Sequence, residues 1–171
     1  MTLSPPIKAL FIAAAVIVLL FIIGDHHGLR STGREPRAFV IELDTAEVVA
    51  IRFEDRREPG NNRNLFRTPH GWRGDAGDDH ATGEAVELLT RFQRIPVKRD
   101  MGMLLLLAER YDLTEHTLRL IRFVDIRGVV HALNLGSSTF APGKAGSWTY
   151  VNVPGEKEVY AVEGLLAGTL R

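Results

Sequence analysis

No cysteine occurs in the 171 residues. That excludes disulfides, thiol catalysis, cysteine-ligated zinc and a lipid-modified cysteine anchor. Charge of one sign is equally absent: Lys+Arg and Asp+Glu both total 21, for a formal net charge of zero. Nucleic-acid binders carry a basic excess or a basic face, and neither is evident, so no nucleic-acid partner is expected. Also missing are a phosphate-cradling loop ending in Gly-Lys-Ser/Thr and a Gly-x-Ser-x-Gly nucleophile elbow. Gly136-Ser137-Ser138-Thr139 follows a predicted strand but fits neither pattern, and reads as turn chemistry. No nucleotide and no cofactor is implied.

What is present begins with an unbroken apolar run, Ala9 to Ile23. With Ile7 and Gly24, and Lys8 reaching back to the headgroups, the span is about 18 residues, or about 27 Å as helix. A core helix would keep a polar face, and this run has none. Its fifteen apolar residues and Lys8 also suit a secretory signal, but no small-x-small cleavage site follows. The stretch therefore reads as an uncleaved single-pass anchor over residues 1–25, with Ala9, Phe11, Ile17, Leu20 and Ile23 among its lipid-facing candidates. Residues 26–37 form a polar juxtamembrane linker. Lys8 and the terminal amine oppose Arg30, Arg34 and Arg37, so flanking charge leans by one charge toward a cytoplasmic domain and does not decide the orientation.

Residues 38–171 read as one α+β domain with two similar strand-rich halves. The first half offers strands at Ala38–Leu43 and Val48–Phe53, then a hairpin of Leu65–Thr68 and Trp72–Arg73. Thr82 is a predicted N-cap for an amphipathic helix over Gly83–Arg94, with Ala85, Leu88, Leu89 and Phe92 on one face. A second short helix is expected at Met103–Tyr111. Next come hairpins of Thr117–Val124 with Val129–Leu135 and of Trp148–Val153 with Glu158–Val162, then a closing helix over Gly164–Leu170. The mixture predicts antiparallel sheet with short packing helices.

The segments Asp44-Thr45-Ala46-Glu47-Val48, Ile51-Arg52-Phe53, Gly71-Trp72 and Val86-Glu87-Leu88-Leu89 carry a resemblance. It continues through Leu107–Leu113, Leu133-Asn134-Leu135-Gly136, and Tyr150–Val153 paired with Val159–Val162. In their order and spacing these pieces resemble the uncharacterised bacterial domain-of-unknown-function family 4340, over most of residues 38–171. The resemblance implies an N-terminally anchored domain outside the cytoplasm, of the sort encoded near ABC-type export or gliding-type systems. It implies no active site, so no catalytic residue is carried over.

Each chemically suggestive residue has a plainer reading. Adjacent His26 and His27 point about 100° apart on a helix end, awkward for a shared ligand. Asp75, Asp78, Asp79 and His80 lack the alternating spacing and terminal Glu of a calcium loop, and read as a solvated loop favouring a helix start. His131 is expected to be a satisfied core histidine, and Trp72, Trp148, Tyr150 and Tyr160 hairpin aromatics. The sharpest candidate is Met103, Leu104, Leu105, Leu106 and Leu107, five apolar residues in a row. One packed helical stripe uses fewer, so the segment is either buried on all sides or partly an exposed interface. Two functions fit: a non-enzymatic, membrane-tethered accessory domain contacting the bilayer and other membrane or envelope proteins, or a hydrolase or ligand-binding domain with an unrecognised site.

Overall fold

Alternation of apolar and polar side chains accounts for most of the strands in the computed structural model, which describes residues 37–75, 81–140 and 147–164. The anchor candidates Ala9, Phe11, Ile17, Leu20 and Ile23, the linker up to Pro36, Asp78, Asp79, His80 and the closing helix beyond Gly164 lie outside these residues. Among the described residues no helix is long and apolar enough to cross a membrane.

The strands are β1 (Phe39–Glu42), β2 (Val48–Asp55), β3 (Arg63–Thr68), β4 (Gly71–Gly74), β5 (Arg94–Pro96), β6 (Arg99–Met103), β7 (Arg119–Asp125), β8 (Val130–Phe140), β9 (Ser147–Asn152) and β10 (Glu158–Glu163). Eight form one antiparallel sheet in the order β4-β3-β2-β7-β8-β9-β10-β6, and β1 pairs with β5 in a second, two-stranded sheet. Helices are few: α1 (Ala81–Phe92) and the short α2 (Leu104–Leu107). The described domain is thus sheet-rich.

Register fixes which loops share an end of the large sheet. Val48 lies opposite Asp125, Val124 opposite Val130, Asn134 opposite Asn152, and Glu158 opposite Met103. The turn before β2 and the β3–β4 and β7–β8 turns therefore share one end. Asn152 is level, through Asn134 and Leu120, with Glu54 near the other end of β2, so the β9–β10 turn and the departure of β6 into α2 are set back along the sheet. Arg37, the first described residue, reaches the β9–β10 turn through an ion pair with Glu156.

Period-two burial places Ile51 and Phe53, Ile121 and Phe123, and Leu133 and Leu135 on one face of the sheet, all nearly fully buried. Helix α1 covers that face with Ala85, Leu88, Leu89 and Phe92, the i, i+3, i+4 and i+7 positions of one helical stripe. Phe92 meets Phe123 at 5.4 Å between ring centroids, and Val40, Ile41 and Ile95 of the small sheet complete the cluster. A second, smaller cluster holds Tyr111, Leu113 and Val159, with Leu104, Leu107 and Tyr150 packed against it.

Several expectations need correction. Helix α1 starts at Ala81, and Thr82 is not its cap: its hydroxyl accepts from Trp72 N at 3.0 Å and donates to Trp72 O at 3.3 Å, fastening the helix to β4. β5 and β6 stand where no strand was expected, because Pro96, Gly102 and adjacent charges mask any alternation and the pairing comes from β1 and β10. Met103 closes β6 instead of opening a helix. The turn after α2 ends in a cap in which Leu113 N donates to Ala108 O at 2.8 Å, with Asp112 in the left-handed region at φ 58°. Gly136–Thr139 lies within β8, not in a turn. There the chain needs glycine, since a Cβ on Gly136 would come within 2.1 Å of Tyr111 O.

A candidate interaction surface

Helix α2 is fixed at its start by Leu104 N, which donates to Lys157 O at 2.6 Å. Residues three apart share a helical face, and Leu104 and Leu107 accordingly turn toward the second cluster. Leu105 and Leu106 project outward, 87% and 76% exposed, beside Met103 at 46%. The five candidates are thereby divided: two are held by the domain and three are open. Next to this ridge runs a groove of about 670 Å³, floored by Leu104, Ala108 and Leu113 and rimmed by Glu109, Glu115 and Lys157.

Behind the ridge the packing is firm. Tyr111 stacks on Tyr150 with centroids 3.8 Å apart and planes 20° off parallel. Burial, then the neighbouring Tyr111, push the Tyr150 hydroxyl above the usual phenol range. Tyr160 is raised by burial and by Glu156 and Glu158. Asn152, almost wholly buried, donates to Glu156 O and Glu158 O and accepts from Asn134 Nδ2, which fixes the β9–β10 turn. A packed base thus supports the outward pair of leucines.

The β7–β8 turn is a second apolar projection. Ile126 is 64% exposed, and Val129 and Val130 are about half exposed. Asp125 shapes the turn by accepting from Arg127 N at 2.8 Å and Val129 N at 2.9 Å, with the Arg127 guanidinium 3.2 Å away. Burial alone would raise the Asp125 pKa. Those hydrogen bonds and the Arg127 charge outweigh it and hold the carboxyl below its usual range. On the sheet surface an apolar row leads to this turn: Phe66 lies opposite Ala50, Ala50 opposite Val124, and Val124 opposite Val130.

His131 is not a core histidine. It is only partly buried, with Nε2 4.0 Å from Asp125 Oδ2. Trp72 lies beneath the Arg67 guanidinium at 5.9 Å, and Asp75 accepts from Asn64 Nδ2. Among the described residues no group of three or more His, Asp or Glu could hold a metal ion. The sequence reading missed Ile126, Val129 and Phe66 as surface features. The available signal was an isoleucine inside a tight turn, where no core-facing position exists for it.

No family model, no curated protein and no solved structure matches the chain.

Proposed function

We propose that this chain is a membrane-tethered, non-enzymatic interaction domain, an accessory component of a bacterial membrane or envelope protein complex. In this reading Ala9–Ile23 is the anchor, and the α+β domain from residue 38 onward stands outside the cytoplasm, as the resemblance to family 4340 implies. Export or other transport assemblies are the complexes that resemblance points to. The observation that carries the proposal is the outward pair Leu105 and Leu106, 87% and 76% exposed on a helix whose other two leucines are packed. Contiguous exposed apolar side chains mark contact sites. Tethering supports the same reading, because it raises the effective concentration of membrane-bound partners without new contacts.

The test is photo-crosslinking in intact cells. A photoreactive amino acid at Glu109 or Thr114, in the groove wall, should give one discrete adduct with a membrane or envelope protein, and one at Val86, on the exposed side of helix α1, should give none. Equal and diffuse labelling at all three sites would sink the proposal.

A further inference from the structure

Four strands have a ladder partner on one side only: β4 and β6 end the large sheet, and β1 and β5 make up the small one. Open strand edges invite pairing with another chain, and proteins usually guard them. Three of the four are guarded here. On β4 both main-chain groups of Trp72 are taken by Thr82 Oγ1. On β6 Gly102 turns to φ 106°, and its N–H donates to Asp100 Oδ1 at 2.8 Å. β5 runs beside β10, and the adjoining Lys98 N donates to Ala161 O at 3.0 Å. Among the described residues β1 has no such cover. It borders a groove of about 460 Å³ whose other wall is Val130, His131 and Ala132 of β8, with Val153.

Side chains alternate between the two faces of a strand. Consecutive residues therefore border one cavity along their backbone edge, and this groove has residues 37–42 on one side and 130–132 on the other. On β8 the edge is open because β9 stops short. Val130, His131 and Ala132 lie opposite Val124, Phe123 and Arg122 of β7 without a shift in register, but the β8–β9 ladder begins only at Asn134 and Asn152. Past Asn152 the chain leaves in a turn, closed by Glu156 N donating to Val153 O at 2.9 Å. The β1 wall is less regular, with a register shift between Phe39 and Ile41.

We propose that this groove takes up an extended polypeptide segment, which adds to β8 along the line that β9 vacates and has β1 on its other side. Main-chain N–H and C=O groups set at strand spacing are matched by another extended main chain. Charge on the walls indicates an uncharged segment: Arg37 is paired with Glu156, Glu42 with Arg94, and His131 Nε2 stands 4.0 Å from Asp125 Oδ2. A second copy of the chain is the poorer occupant. The unguarded edges it offers, β1 and the start of β8, each carry a strand at their back. The proposal rests on neither the anchor nor the leucine ridge.

The test follows hydrogen exchange of the full chain in mild detergent, with a short synthetic peptide of alternating threonine and valine, capped at both ends, as the probe. With saturating peptide, amides in 130–132 and 37–42 should exchange several-fold more slowly, and those of β4 should not change. The same peptide with its backbone nitrogens methylated lacks the donors for a ladder and should give no protection. No slowing with the unmodified peptide overturns the proposal. Equal slowing by the methylated peptide overturns it too, since side-chain contact alone would then account for binding. Slowing that appears without peptide and grows with chain concentration assigns the groove to a second copy, and also overturns it.

Discussion

Single residues decide how firmly the β7–β8 turn and the smaller cluster are built. Asp125 holds the β7–β8 turn through two backbone amides and the Arg127 guanidinium, and its carboxyl titrates below the ordinary range. A carboxylate with a depressed folded pKa adds stability above its unfolded value, near 4, and loses that contribution as pH falls through the folded value. Asp125→Asn keeps an acceptor for the amides but removes the charge. Melting curves should therefore separate wild type from variant at pH 7 and converge as the pH drops below about 4. Melting curves that stay equally far apart at every pH would show that the charge is not the source. Gly136 is a second such position. Ser137 N donates to Tyr111 O at 2.8 Å, so the segment carrying Tyr111 lies directly on β8, and the missing side chain is what lets it approach. Gly136→Ala would set a methyl against backbone that cannot swing aside. It should cost about 1–3 kcal/mol, the usual range for overpacking, and weaken the near-ultraviolet dichroism of the Tyr111–Tyr150 stack. A neutral result would mean that the 108–113 segment is free to lift. Sequence alone did not reveal this: a glycine followed by two serines and a threonine looks like a turn until the segment that presses on it is known.

Elements were legible in proportion to how much of their pattern is local. Helix α1 announces itself by the spacing of Ala85, Leu88, Leu89 and Phe92, and β7 and β8 by alternation, since each buries one face against a single core. The edge strand β6 has no such pattern. Its residues Arg99, Asp100 and Gly102 are placed by pairing with Val159–Ala161, some sixty positions away, and long-range pairing leaves no local trace. Helix α2 was half legible. Five apolar residues signalled a special segment, but whether the second pair faced in or out depended on the strand that precedes it and the turn that receives Leu104. Helix α1 also holds an unused margin of stability. Gly83 sits in its first turns with open space where a Cβ would go, and glycine within a helix costs up to about 1 kcal/mol relative to alanine. Gly83→Ala should therefore raise stability by about 0.5–1 kcal/mol in urea unfolding. A loss would indicate a neighbour packed against that turn.

At the scale of the whole molecule, the distribution of apolar surface separates two demands that the sequence mixes together. Folding demands Leu104 and Leu107, which pack with Tyr111, Leu113 and Val159 on the outer side of the sheet. It makes no comparable demand on Leu105 and Leu106, whose side chains are largely exposed beside the groove. A charged substitution tells the two apart, because an unpaired charge in a packed cluster is costly while one in water is not. Leu107→Asp should lower the stability of the domain by about 2–4 kcal/mol, and Leu105→Asp should stay within about 0.5 kcal/mol of wild type. Consequences for contact should run the other way. Leu105→Asp leaves a folded domain whose crosslink from Glu109 in intact cells should be lost. A crosslink that persists undiminished in the folded Leu105→Asp chain would show that the exposed pair is not part of the contact.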